Sequence, residues 1–205
     1  MNAYPVRYSV DKPARFTRLQ LLVRVLAFVV LGMLGLSLGL LFMAAYVALP
    51  VFAAARLSGR DAASYLEEDG PRVVRALRWF AAIFAWLGLA SETLPVHSPE
   101  ETVHLDVEPS GQPTVSSALW RLLIGLPSAL LLGVLAFVGS FVWLWAVLSV
   151  LVSERVGDGA FGFLAGLQRW SIRLLAYQAS LVDPYPPFSF DDRPAPRLPS
   201  ARVAP

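Results

Sequence analysis

The chain has no cysteine, only two histidines and little charge. Without cysteine there are no disulfides, no thiolate nucleophiles and no thiolate metal ligands. Both histidines, His97 and His104, fall in one polar stretch. No Gly-x-Ser-x-Gly elbow offers a serine nucleophile, and no glycine-rich phosphate loop or dinucleotide fingerprint occurs. Charged residues are 16% of the 205, where soluble globular chains carry about 25%. The net charge of +2 and the lack of a basic patch interleaved with aromatics exclude a nucleic-acid surface. These absences predict a chain that is not an enzyme and that holds neither cofactor nor metal.

Charge is missing most conspicuously from two long runs. Leu122 to Ser153 is thirty-two residues without one charge, between Arg121 and Glu154. Val25 to Ala55 is thirty-one, between Arg24 and Arg56. A thirty-two-residue helix reaches ~48 Å, more than the ~30 Å hydrocarbon core of a bilayer. Neither run contains a carboxylate or a polar stripe to line a path, which disfavours a carrier or channel. The first run is too long for a signal h-region and no small-residue cleavage site closes it, so it reads as uncleaved.

Taken in order, Val6, Tyr8 and Val10 alternate with polar residues as in a half-exposed strand. The first apolar run follows, carrying Gly32, Gly35, Gly39 and Pro50, and Leu57 to Arg60 is a turn. Gly70-Pro71 opens a helix with Arg72, Arg75 and Arg78 on one stripe, then an apolar stretch from Trp79 to Ala90. Val103 to Val107 is a second alternating strand, with His104 and Asp106 on one face. Two ligands converge there without a third, as in a solvated acidic linker rather than a metal site. The tail from Pro184 holds seven prolines in twenty-two residues. Tyr185 to Phe190 is expected against the membrane surface and the remainder disordered.

A shift of 97 residues carries Val6, Tyr8 and Val10 onto Val103, Leu105 and Val107, and Arg24 onto Arg121. Gly59 answers to Gly157, Arg78-Trp79 to Arg169-Trp170, and Glu92 to Pro95 answers to Asp183 to Pro186. The order of these landmarks predicts a tandem duplication. The expected fold is mainly α and integral to the membrane. Residues 1–96 form a first unit of strand, long membrane helix and Arg-Trp helix, 97–190 form a second, and 191–205 form a proline-rich disordered tail. If each unit crosses twice, the strands end on one side and pair as a ribbon outside the membrane, with both termini cytoplasmic by the positive-inside rule. In the alternative, the Arg-Trp helices, over 71–91 and 160–182, lie at the interface, or the long runs fold back as re-entrant hairpins.

In the second unit Arg121, the long run, Arg169-Trp170-Ser171-Ile172-Arg173, Ala176-Tyr177 and Asp183-Pro184-Tyr185-Pro186-Pro187-Phe188 resemble a bacterial membrane family, domain of unknown function 4389. The resemblance implies an Arg-Trp…Arg…Tyr helix closed by Tyr-Pro-Pro-Phe, and a bacterial inner membrane. The first unit matches in outline, since Ser91 to Val96 lacks the doubled proline and second aromatic.

The candidate site is Arg169, Arg173 and Tyr177 on one helix face at four-residue spacing, with Trp170 adjoining as an interfacial belt residue. Arginine at membrane depth costs ~2.5–3.5 kcal/mol on insertion scales and points to protein, water or a headgroup. Its bidentate fork suits a phosphate. The expected partners are membrane lipids, anionic ones at these arginines, and another membrane protein or a second copy of the chain. The expected role is that of a scaffold or accessory subunit.

Overall fold

A computed structural model describes residues 4–95 and 98–190. The unit boundary near 96, His97 and the tail 191–205 lie outside the described residues. The fold is mainly helical, with one two-stranded sheet. Strand β1 (Val6–Ser9) is followed by α1 (Arg18–Met33) and α2 (Leu38–Leu57). A corner of α3 (Ala62–Ser64) and a π turn (Tyr65–Asp69) leads into α4 (Gly70–Leu87). Strand β2 (His104–Val107), α5 (Val115–Ile124), α6 (Leu126–Ser153) and α7 (Asp158–Gln178) complete the order. Helices α2 and α6 are long and apolar enough to cross a membrane.

The first apolar run is not one helix. It breaks between Met33 and Leu38, where Gly35 takes φ +69°, a left-handed conformation that costs glycine little and other residues more. Ser37 then caps α2, its Oγ accepting from Leu40 N at 3.1 Å. The second run breaks earlier, at Gly125, between α5 and α6. A β-carbon there would lie 2.4 Å from Gln178 Nε2 and 2.8 Å from Tyr46 Oη, so any other residue would have to displace those side chains. The acidic stretch before α4, Glu67 to Asp69, lies in a π turn. The Arg-Trp helices begin and end near the expected places, at Gly70–Leu87 and Asp158–Gln178.

Neither run folds back on itself. Phe16 N donates to Glu154 O at 2.8 Å, and the Phe28 and Trp143 rings meet edge-on at 4.9 Å. Tyr46 Oη donates to Leu122 O at 2.6 Å, and Leu57 shares a buried cluster with Ala118. Read in order, α1–α2 runs antiparallel to α5–α6 along its whole length. Helices α4 and α7 return beside them as a second layer: Trp86 Nε1 donates to Gln20 Oε1 at 3.3 Å, and Arg121 Nη1 donates to Tyr177 O at 2.8 Å.

The ribbon is the third layer. The strands pair antiparallel as alternation predicts, with Val6 opposite Val107 and Tyr8 opposite Leu105. Val6, Tyr8 and Leu105 are buried, while Arg7 and Asp106 point outward and pair at 3.4 Å. The ribbon lies alongside the helices and not beyond their ends. Strand β1 runs lengthwise on α7, with Tyr4 at Pro184, Val6 at Arg173, Tyr8 at Arg169 and Lys12 at Asp158. Strand β2 lies on α4, where Arg78 Nη2 donates to Leu105 O at 3.0 Å. Three guanidinium groups thus occupy outward carbonyls of a ribbon too short to protect its own edges. The ribbon must lie here because the linker leaves α4 near Gln20 and has to reach the start of α5 near Leu57, at the opposite end.

The corner at 57–70 is centred on Asp69, which pairs with Arg56, with Arg60 at 3.4 Å and with Arg72 at 3.8 Å. Arg56 grips Asp69 in a fork, Nη2 to Oδ1 at 2.6 Å and Nε to Oδ2 at 3.1 Å, and Tyr65 Oη donates to Ala179 O at 2.6 Å. The Arg56 hydrogen bond holds the Asp69 carboxyl below its usual range. A carboxyl depressed in the fold contributes stability above its unfolded value near 3.9 and loses it as pH falls through the depressed value. Protection of the 65–73 amides from exchange, taken relative to their intrinsic rates, is therefore expected to fall below about pH 4, and Asp69→Asn to abolish that acid step. An acid step that survives in the Asn variant would assign it to another carboxyl.

Candidate lipid interface

Two buried arginines fasten each long helix to the exit of its returning helix. Arg121 Nη1 donates to Tyr177 O at 2.8 Å and Val182 O at 2.5 Å, and its Nη2 meets Asp183 Oδ1 at 2.6 Å. The guanidinium lies 4.4 Å from the centroid of the Tyr177 ring. It sits at the end of α7, where a helix dipole favours a cation, sharing Tyr177 O with Ser180 N. Arg24 does the same at the end of α4. Its Nη2 donates to Ser91 O at 2.6 Å and reaches Glu92 Oε2 at 3.3 Å, with the Trp86 ring 5.4 Å away. Beyond each returning helix comes one left-handed residue, Leu89 at φ 57° and Ser180 at φ 56°. Neither clamp was expected from the sequence, where Arg24 and Arg121 served only as borders of apolar runs. A lone arginine at the edge of such a run was the available signal.

The expected site residues do not converge on one open cradle. Arg169 Nε donates to Tyr8 O at 2.9 Å and its Nη1 to Phe190 O. Arg173 is buried and directs Nε and Nη1 at Val6 O and Ser189 O, each at 3.4 Å. Tyr177 turns to Arg121 rather than to Arg173. Trp170, expected at an interfacial belt, is buried under Phe188 at 5.4 Å and Phe190 at 6.2 Å. The Tyr-Pro-Pro-Phe close explains this. Residues 183–190 fold up the flank of α7, with Tyr185 Oη and Ser128 Oγ 2.6 Å apart. Of the other tryptophans, Trp143 packs and donates to Leu87 O at 3.0 Å, while Trp145 is 67% exposed. His104 stands on the outer ribbon face, 3.7 Å from Asp11.

Polarity divides by layer. The outward side of α6 carries Val134, Phe137, Val138, Phe141, Leu144 and Leu148, all exposed. Exposed Leu22, Leu26 and Val30 of α1 and Val47 and Val51 of α2 extend the same apolar surface. The ribbon side carries Arg7, His104, Asp106 and Glu108, and the ion pair of Arg78 with Glu100 at 2.7 Å. Between the two long helices, where α1 gives way to α2, lies an apolar slot of about 730 Å³.

Residues 116–189 match the model of a family described as a domain of unknown function, DUF4389. The matched stretch covers α6, α7, most of α5 and the whole Arg121 clamp. No curated protein and no solved structure matches the chain.

Proposed function

We propose that this chain is a non-enzymatic membrane scaffold that lies in the plane of one leaflet. Its two long helices are sunk in hydrocarbon and its ribbon is in water. One observation carries the reading: a charged, two-edged β-ribbon lies alongside the middle of the helices instead of beyond their ends. Stood upright, the molecule would put Arg7, Asp106 and Glu108 at the depth of the bilayer centre. Lipid-exposed sheet edges are not tolerated there. The linker would also have to cross the bilayer as extended chain. Laid flat, the apolar side of α1–α2 and α5–α6 meets lipid tails, and every outward charge of the ribbon meets water. This replaces the expectation of four crossings.

Duplication belongs to the same reading. Thr17 caps α1 and Thr114 caps α5, Arg24 and Arg121 make like clamps, and Leu89 and Ser180 turn alike. Arg78 of the first unit reaches β2 of the second, and Arg169 of the second reaches β1 of the first. These exchanges support a two-fold arrangement about the Tyr8–Leu105 pair. Anionic headgroups then fall to arginines at the two ends of the slab, Arg18 and Arg155 at one and Arg60 and Arg72 at the other. Arg169 and Arg173 spend donors on backbone carbonyls. Family resemblance and these basic ends favour the cytoplasmic leaflet of a bacterial inner membrane.

The chain has no native cysteine to complicate a labelling test. Single cysteines at Arg60, Glu108 and Arg155, in sealed inside-out membrane vesicles, are expected to react with an impermeant maleimide to the same extent before and after permeabilisation. A crossing molecule would hide Arg60 or Arg155 until the vesicles are opened, and that outcome would sink the in-plane reading.

A further inference from the structure

The slot between the long helices is a further feature of the lipid-facing layer. One wall is the broken segment of the first long helix, with Phe28, Leu36 and Phe42, and the other is α6, with Leu132, Ala136 and Trp143. Its floor is the α4–α7 layer, through Phe80, Phe84 and Leu167. Walls and floor leave the remaining side open, away from the ribbon. The two long helices part here because α1 stops at Met33 and because small residues, Gly133, Ala136, Gly139 and Ser140, face the gap from α6.

The polar groups around the slot are already engaged. Gln168 Nε2 donates to Ala81 O at 2.9 Å, Ser171 Oγ to Leu167 O at 2.9 Å and Ser140 Oγ to Phe137 O at 2.6 Å. Trp143 Nε1 donates to Leu87 O. A water would need two to four polar partners, and a peptide backbone would bury unpaired amides. A hydrocarbon chain needs neither. At about 730 Å³ the volume falls among ligand cavities of roughly 300–1,000 Å³.

We infer that this slot takes the acyl chain of a bilayer lipid, drawn up from the leaflet between the two long helices and against the α4–α7 floor. The inference rests on the in-plane, lipid-embedded reading, and it deepens that reading by giving the scaffold a specific tail site. The bound chain fills the gap left by the helix break, which makes the lipid part of the packing of the layer.

The test uses the full chain in vesicles of phosphatidylethanolamine and phosphatidylglycerol, with a trace of phospholipid bearing a diazirine on one tail. After illumination, cross-links are located by mass spectrometry of fragments. In the unaltered protein, adducts are expected within 36–43 and on the slot-facing positions 132, 136 and 143. A β-carbon on Gly133 meets no atom within 4 Å, so Gly133→Phe can enter the slot from its wall without disturbing the backbone. That variant is expected to lose slot adducts about tenfold, as when contacts of roughly two methylenes are displaced. Adducts at Phe137 and Leu148 should persist. Gly39→Phe, from the opposite wall, should act alike.

Slot adducts that survive both variants, or that are missing from the unaltered protein while Phe137 and Leu148 label, would overturn the tail site and leave the in-plane reading standing. Absence of adducts at Phe137 and Leu148 as well would strike the lipid-embedded reading itself.

Discussion

Arg121→Ala is expected to cost more stability than any other single truncation in the fold, about 2–4 kcal/mol, because it removes charged hydrogen bonds to two carbonyls that stay buried. Its guanidinium makes three short hydrogen bonds, at 2.5, 2.6 and 2.8 Å, and all three go to the segment that ends α7. Removing it leaves the carbonyls of Tyr177 and Val182 without this donor and takes the cation from the Tyr177 face. Arg24→Ala should cost clearly less. Arg24 has one short bond, to Ser91 O, and among the described residues its Nε and Nη1 have no partner. Part of its burial is an unrepaid desolvation, so losing it also relieves something. Equilibrium unfolding in detergent micelles measures both. Arg121→Lys should fall between wild type and Ala, since an ammonium keeps charge but cannot bridge two carbonyls and a carboxylate in one plane. An Arg24 variant as damaged as the Arg121 variant would show that the two clamps carry equal weight and that the hydrogen-bond count misranks them.

Tyr8→Asp should collapse the ribbon. The Tyr8 ring is fully buried where the two strands and the α4–α7 pair meet, opposite Leu105. A carboxyl there must either ionise without a partner or stay protonated, and either course costs several kcal/mol. The expected signs are loss of a discrete unfolding transition and rapid proteolysis of residues 98–114. Tyr8→Phe should behave oppositely. Among the described residues the Tyr8 hydroxyl has no hydrogen-bond partner, so its removal discards a buried unsatisfied group and is expected to be neutral or stabilising by up to about 1–2 kcal/mol. A Phe variant that unfolds more easily would mean that the hydroxyl is engaged after all. Protease resistance in Tyr8→Asp would mean that the strands hold without their central contact.

Elements with a strong local signal were legible. Alternation marked both strands because one face of each is buried on helices and the other is wet. Gly70-Pro71 marked the start of α4 because proline lacks the donor that the first helical turn cannot use anyway. The family resemblance in the second unit was likewise legible, since Arg169-Trp170 and the Tyr-Pro-Pro-Phe close are contiguous motifs, and it falls within the stretch that the family model matches. The break at Gly35 was less legible, for glycines at 32, 35 and 39 are equally consistent with close helix packing. Its cause is the φ of one residue, which no periodicity encodes.

Composition alone decided that the chain would carry long apolar helices, because runs of thirty-one and thirty-two uncharged residues hold few groups that water can solvate. Local sequence also marked where α1, α2, α4 and α5 begin, through threonine, serine and proline at the caps. Orientation was left to tertiary structure. Whether a strand lies beyond the ends of a helix pair or along its side depends on which carbonyls meet Arg78, Arg169 and Arg173, contacts spanning 27, 161 and 167 residues of chain. Arginine spacing shows a stripe and cannot show whether backbone, water or phosphate takes up the stripe. Here the backbone does, and the charged ribbon consequently lies over the middle of the long apolar helices instead of past their ends.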